Sequence, residues 1–379
     1  MSSEHRPSTA SCAKTLGWYI HHQGSGHLQR AMTMALHLSS AGWRVTGLSS
    51  IPQPAQWPGE WVQLERDDTM HSSVHCRSAG PSTSTEPVQT ALRDITAGGT
   101  LHFAPIGHPG IRRRSAQISS WIEAHRPCLM VVDVSVEVAL LARLHGVAVM
   151  TVALPGNRTD DAHQLEFRLS AVIVGMWPPA AKDIVTGIPE DSKQKFYALG
   201  GLSRFPPIEA TKGGLPHPAA HTDGLSIVML NGAGGGSLSA RLPQILTQNF
   251  PEAEVTVLGG PGGKWVEDPW PMLCHADVVI TAAGQNSIAE VAASRTPAVV
   301  VAHPRPHDEQ YRMLDTLKRG PWPVVPAPET ENGAAWGRAV KQALRLDGRC
   351  WSSWCDDEAT KRFTQIVQSF ASNDPREQR

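Results

Sequence analysis

Apolar residues along the chain gather in short blocks that alternate with longer amphipathic ones. Residues 15–22 form a β-rich apolar run that ends in Gln23-Gly24-Ser25-Gly26-His27. Over 28–40 the apolar positions Leu28, Met32, Ala35 and Leu36 recur at helical spacing, Gly42 stops the helix, and 44–49 reads as the next strand. A strand, a glycine loop, a helix and a second strand are the opening of a doubly wound parallel sheet. Residues 51–110, rich in Pro, Ser, Thr and Gly, carry little predicted regular structure. The alternation resumes with a helix at 111–125, a buried strand at 128–134, a helix at 136–145 and a strand at 147–153. Residues 178–218 are dense in Pro and Gly and read as the connection between two domains. After it the pattern restarts: a strand at 225–230, a glycine loop, a helix at 238–248 and a strand at 254–258. Strands at 277–281 and 298–302 then flank a helix at 287–294. The reading is α/β, with two Rossmann-like domains at 14–203 and 204–379. No short repeat period occurs, which argues against a solenoid.

Composition narrows the function classes. The chain has 379 residues, 41% hydrophobic and 18% charged, ordinary for a globular protein with real cores. Lys+Arg number 34 against Asp+Glu 35, a net charge of -1, so no basic surplus suits nucleic acid. The first 14 residues are polar, without the apolar core of a secretory leader. The longest apolar stretch, 128–154, is broken by Asp133, Glu137, Arg143 and His145, short of the ~18 apolar residues of a membrane span. A cytoplasmic protein is expected. Six scattered cysteines without a C-x-x-C pair read as reduced thiols.

Three constellations could carry chemistry. Asn231-Gly232-Ala233-Gly234-Gly235-Gly236-Ser237 opens onto a helix, where free N–H groups and the helix dipole suit a phosphate. The pattern is neither a P-loop nor G-x-G-x-x-G, so a plain βα turn is the alternative. His27 sits in the other glycine loop, at the mouth of the first sheet, where open α/β sheets bind ligands. Histidine can exchange a proton near neutral pH, or simply cap a helix. In Gly284-Gln285-Asn286-Ser287-Ile288-Ala289-Glu290, Ser287 and Glu290 fit a capping box, yet Glu290 could equally hold two ribose hydroxyls. Spacing leaves that choice open.

The segment 266–311 resembles the donor domain of glycosyltransferase family 28. Val266, His275-Ala276-Asp277-Val278-Val279-Ile280, Gly284, Glu290, Pro297 and Asp308-Glu309-Gln310-Tyr311 fit its spacing without a gap. Gly235-Gly236-Ser237-Leu238 resembles its phosphate loop, and Gly24-x-Gly26-His27-x-x-Arg30 its N-terminal glycine-His loop. The resemblance implies the glycosyltransferase B fold, with the last helix crossing back to the first domain. It also implies a UDP-sugar donor. The Val266 backbone would read uracil beside Trp265, Glu290 would bind ribose, and Gly234, Gly235, Gly236 and Ser237 would face the diphosphate. Glu309 and Gln310 would hold sugar hydroxyls; Gly26, Gly284, Asn286, Ser287 and Asp308 belong to the same donor set. The pattern departs where Ala282 replaces an Arg, Glu309 a glutamine, and Arg312-Met313 an Asn-Ala pair.

The expected reaction is inverting transfer of a hexose or N-acetylhexosamine to a hydroxyl of a glycan, lipid or small molecule, with His27 as base. Asp133 and Glu137 are reserves for that base, and Asp160, Asp161 and His163 are further acceptor-side candidates. No Asp-x-Asp motif occurs, so no metal ion or other cofactor is expected on the diphosphate. Loop N–H groups would stabilise the leaving charge. A UDP-sugar hydrolase, sharing Gly-x-Gly-His-x-x-Arg, and a non-catalytic nucleotide-sugar-binding subunit are the alternatives. Phe103, Ile106, Ile111, Arg112 to Arg114 and Trp121 could form an apolar–basic patch for peripheral membrane contact.

Overall fold

The structure, a computed structural model, describes residues 14–68, 92–209, 224–232, 238–260 and 262–372. The first half runs β1 (Thr15–Ile20), α1 (Ser25–Ser40), β2 (Arg44–Ser49), β3 (Trp61–Gln63), α2 (Pro109–His125), β4 (Leu129–Asp133) and α3 (Val136–Leu144). It continues with β5 (Ala148–Ala153), β6 (Gly156–Asn157), α4 (Asp161–Leu169), β7 (Val172–Gly175), β8 (Val185–Thr186) and β9 (Phe196–Ala198). The second half is β10 (Ser226–Leu230), α5 (Leu242–Asn249), β11 (Glu254–Leu258), α6 (Trp270–His275), β12 (Val278–Ala282), α7 (Gln285–Ser294) and β13 (Ala298–Val301). It ends with α8 (Glu309–Arg319), β14 (Val324–Pro326), α9 (Gly333–Ala343) and α10 (Ala359–Ser372).

These strands build two large, separate parallel sheets, of order β3-β2-β1-β4-β5-β7-β9 and β11-β10-β12-β13-β14, and β6 pairs with β8 in a small third one. Parallel strands covered on both faces need continuous apolar runs, and β1, β4 and β12 are buried at every position. In the first sheet the chain leaves β1 toward β2, then returns to its other side with β4. In the second it leaves β10 toward β11 and returns with β12. Each reversal opens a crevice beyond the strand ends, the place where such sheets bind ligands. The pairing Ile20↔Asp133 puts the last residue of β4 level with the start of the Gly24–His27 loop.

Three sequence expectations change. The Pro/Gly-rich stretch 178–218 is not all linker: it supplies two 3-10 turns, Pro179–Ile184 and Glu190–Lys195, and β9, the last strand of the first sheet. Prolines enter the first turn at its N-terminus, where no donor is needed. Residues 161–175, not read as regular, form α4 and β7. Trp121 and Arg114 lie inside the first domain, Arg114 bonded to Tyr19 and Asp67, so these two leave the expected apolar–basic patch, of which Ile106, Arg112 and Arg113 remain exposed. The last helix, α10, returns to the first sheet, where Phe363 stacks on Trp18 with ring centroids 5.4 Å apart. Among the described residues no helix is long and apolar enough to cross a membrane.

One carboxyl stands out in the first core. Glu166 of α4 is buried, with Thr151 Oγ1 donating to it at 3.3 Å. Burial, reinforced by the charge of Glu137, pushes its pKa up to about 8. A proton held more tightly in the folded state stabilises it fully below the unfolded pKa near 4.3, and that contribution is lost as pH rises to about 8. Stability therefore falls with rising pH across this window. In denaturant titrations at pH 5, 6.5 and 8, Glu166→Gln should remove a decline approaching about 1.4 kcal/mol per pH unit. Parallel profiles for the two proteins would contradict this.

Candidate active site

At the switch point of the first sheet, α1 begins after Gly24, whose φ of 89° suits a residue without Cβ. His27 and Arg30, three residues apart, share one helical face and both reach Asp133. His27 Nδ1 lies 2.8 Å from Asp133 Oδ1; Arg30 donates from Nε to Oδ2 at 3.0 Å and from Nη2 to Oδ1 at 2.8 Å. Asp133 has no exposed surface. Burial alone would raise its pKa, but the charges and hydrogen bonds of Arg30 and His27 outweigh that and hold it far below the usual carboxylate range. An ionised carboxylate only accepts, so Asp133 favours the His27 tautomer with the proton on Nδ1, and Arg30 Nη2, 3.1 Å from that nitrogen, then donates to Asp133 instead. Nε2 is left as a lone pair. Asp133 is thus neither an exposed base nor an acceptor contact; it orients His27 from beneath. Helix capping does not explain His27 either, because the N-cap of α1 is Gly24.

A cleft of about 530 Å³ lies between the two halves. Gly26 and His27 line it from the first. Trp265, Val266, Gly284, Asn286, Ser287, Glu290, Glu309 and Gln310 line it from the second. Trp265 is 72% exposed despite its size. The N-cap of α7 is Gly284, not Ser287, and no side chain caps it, so the capping-box reading of Ser287 and Glu290 fails. Glu290 instead is buried, with Arg204 Nε donating to its Oε1 at 2.9 Å; burial raises its pKa and Arg204 opposes that without overcoming it. The uncapped first turns of α1 and α7 both open into the cleft, presenting N–H groups and two positive dipole ends. Asn286 Nδ2 donates to the Gly26 carbonyl and Gln29 Oε1, both at 3.2 Å, and so ties those ends together. Gln310 Oε1 accepts from the His303 amide at 2.9 Å. Asp308 is exposed and lies off the cleft wall, and Gly234, Gly235, Gly236 and Ser237 fall outside the described residues.

A second cavity, about 350 Å³, opens beside the first, walled mainly by the N-terminal half and closed by Pro306, His307 and Glu309 of the other. His27 lines both. Its lining mixes apolar Phe103, Ile118, Val138 and Leu141 with Arg114, Glu137 and Arg158, and its rim carries His102, His163 and His307. The acceptor-side candidates distribute unevenly. Glu137 lines this cavity, but its Oε1 accepts from the His102 and Phe103 amides at 2.7 and 2.9 Å, and Ser135 Oγ donates to its Oε2 at 2.7 Å. It anchors the wall and does not serve as a free base. Asp160 caps α4 and bonds His163, Asp161 is exposed in the first turn and lines neither cavity, and His163 is on the rim. Desolvation keeps His163 neutral, with its pKa pushed down to about 4.

Several neighbours escaped the sequence reading. Arg30 was visible as part of the glycine-His pattern, and its three-residue spacing from His27 signalled a shared face. Arg204 and His102 lie in segments without periodicity and carried no signal. Arg158, in the loop after β5, donates to Glu309 Oε1 of the other half at 2.5 Å. Among the described residues, two groups have the composition and spacing to hold a metal ion: His102, Asp160 and His163, and His22, Asp67 and Asp68.

No protein-family model and no curated protein matches this sequence. Solved structures do. The glycotransferase of kitacinnamycin superposes with a TM-score of 0.61 at 16% identity, over 94% of this chain and 98% of its own. MurG of Acinetobacter baumannii gives 0.60 at 16%, over 94% and 99%, and a UDP-glucosyltransferase from Polygonum tinctorium 0.61 at 14%, over 97% and 100%. The spinosyn rhamnosyltransferase SpnG, solved with thymidine diphosphate, gives 0.55 at 14%, over 95% and 98%. With two parallel sheets in separate halves and near-complete coverage of these enzymes, the chain has the glycosyltransferase B fold.

Proposed function

We propose that this chain is an inverting glycosyltransferase that takes a UDP-sugar in the interdomain cleft and an acceptor hydroxyl in the adjoining cavity. The observation that carries this reading is the place of His27, on the wall shared by both cavities with Asp133 buried behind it. Uracil would meet the Val266 backbone beside Trp265, and ribose would meet Glu290, where Arg204 holds one carboxylate oxygen and the other can accept from a hydroxyl. The diphosphate would lie against the first turns of α1 and α7. Glu309 and Gln310 would face the sugar. Likeness to a UDP-glucosyltransferase and to SpnG, solved with thymidine diphosphate, supports a nucleotide-sugar donor.

The reaction is a single displacement. The acceptor oxygen attacks the anomeric carbon as His27 Nε2 takes the hydroxyl proton, and the bond from that carbon to the UDP oxygen breaks on the opposite face. Asp133 stabilises the imidazolium that forms, as the buried carboxylate does in serine-protease triads. Charge on departing UDP is met by helix N–H groups that need no reorganisation, and the diphosphate needs no metal ion on this scheme. Hydrolysis would require only water; a second cavity of about 350 Å³, partly lined by apolar side chains, favours transfer to a larger acceptor.

Two substitutions separate binding from chemistry. Glu290→Ala should weaken UDP binding about 10- to 100-fold, the loss of hydrogen bonds to a charged group, with a far smaller fall in kcat. His27→Ala should lower kcat by ~10²–10⁴-fold while calorimetry returns an unchanged Kd for UDP. An unaltered kcat in His27→Ala would remove it from the role of base.

A further inference from the structure

The rim of the second cavity gathers imidazoles around one carboxylate. His163 Nδ1 lies 2.8 Å from Asp160 Oδ2 and 3.4 Å from His102 Nε2, and His102 Nε2 lies 3.8 Å from Asp160 Oδ1. A third ring comes from the other half of the molecule: His307 Nδ1 is 3.7 Å from Asp160 Oδ2, and its ring stands edge-on to His163 at 4.8 Å between centroids. A tetrahedral ion with ligand bonds of about 2.0–2.1 Å has ligand atoms about 3.3 Å apart. The spacings among His102, Asp160 and His163 bracket that value, and His307 stands just outside this group of three.

The segment that carries His307 has an uncommon backbone. His307 and Asp308 are consecutive non-glycine residues in the left-handed region, with φ of 59° and 56°, a conformation uncommon outside glycine. The close approach depends on Gly156, where a Cβ would come within 2.5 Å of the His307 carbonyl oxygen. The opposing loop is thus shaped to let His307 dock against Asp160.

We propose that His102, Asp160 and His163 bind a divalent transition metal of the zinc class, and that His307, facing Asp160 from the other half, is drawn in as the fourth ligand. Three imidazoles and one carboxylate suit zinc and discriminate against magnesium and calcium, which prefer all-oxygen shells. Asp160 keeps Oδ1 for the amide of His163, at 3.1 Å, and offers Oδ2 to the ion. Ligation at His163 Nδ1 moves the ring proton to Nε2, so Arg158 Nη1, 3.3 Å from that atom, must give up its contact. Glu309 and the Pro155 carbonyl still hold the guanidinium through Nη2. His307 likewise exchanges its contact with the Asn157 carbonyl for the ion. The bound ion ties the segment beside Glu309 to the wall of the second cavity, and so links donor and acceptor sides independently of either substrate.

The test uses the full chain, without a histidine tag and stripped by chelator, titrated with Zn²⁺ by calorimetry and with Co²⁺ by visible absorption. One ion per chain is expected, with the intense spectrum of four-coordinate Co²⁺ and a rise in Tm that added Mg²⁺ does not reproduce. His102→Ala and Asp160→Asn should each weaken binding by at least ~100-fold, beyond the 10- to 100-fold that outer-shell partners cost. Both residues are only half-buried, so these variants avoid disturbing the core as His163→Ala would. His307→Ala should weaken binding less and change the Co²⁺ spectrum, as a solvent ligand replaces the ring. Absence of one-to-one binding, or binding unchanged in His102→Ala and Asp160→Asn, would leave a hydrogen-bonded histidine cluster only and overturn the proposal. An unchanged affinity and spectrum in His307→Ala would overturn the link across the cleft. No sugar substrate enters the assay, so its outcome is separate from that of the glycosyl-transfer reading.

Discussion

The arrangement of this molecule depends on one carboxylate removed from water. Asp133 ends the central strand β4 with no exposed surface, and an ionised group in that position is tolerated only when its charge is matched and its oxygens are bonded. Arg30 supplies the matching charge through two hydrogen bonds, and His27 takes the remaining contact. That demand fixes the orientation of α1, the helix that presents both residues. It also sets the imidazole so that Nδ1 points inward and Nε2 outward. Arg30 then extends toward the second half, where its Nη1 meets Gln285 Oε1 at 3.4 Å in the first turn of α7. A buried ion pair at the switch point of one sheet is in this way connected to the helix that leaves the switch point of the other.

The two halves meet over a cleft that concentrates favourable field for an anion. Two uncapped helix N-termini face it, and Asn286 spans them by bonding the Gly26 carbonyl. Each terminus contributes only ~0.3–1 kcal/mol at an exposed site, so convergence matters more than either alone. At the other rim the halves are joined by Arg158 and Glu309 and by the approach of His307 to Asn157. Both contacts fall at residues facing the proposed sugar or acceptor. Closure of the cleft and construction of the site therefore share the same side chains.

Much of the fold was legible because parallel strands covered on both faces must be apolar throughout, and that pattern survives in β1, β4, β5, β10 and β12. The stretch after Gly175 was harder to read. Its short turns and the three-residue strand β9 bury too little to leave a periodic signal. In the site, the glycine loop before His27 marked a strand-to-helix turn, and Arg30 followed at helical spacing. The partnership of His27 with Asp133 was not legible, since 106 residues separate them and only the register of β1 against β4 brings them together. Glu290 shows the opposite case. Spacing suggested a capping box, but the helix starts earlier, at Gln285, which frees the carboxylate for the cleft. Arg204 and His102 belong to irregular segments, where tertiary placement alone gives a side chain its meaning.

The central claim is that the interdomain cleft accepts a uridine diphosphate sugar. Thermal unfolding of the full chain across UDP, TDP, GDP and their sugars addresses it without knowledge of the acceptor. A ligand at 100 times its Kd stabilises the folded state by about 2.7 kcal/mol, enough to raise Tm measurably. UDP and UDP-sugars are predicted to raise Tm, and the TDP and GDP series to leave it unchanged. No shift with any UDP ligand, or a shift confined to another nucleotide, would contradict the account.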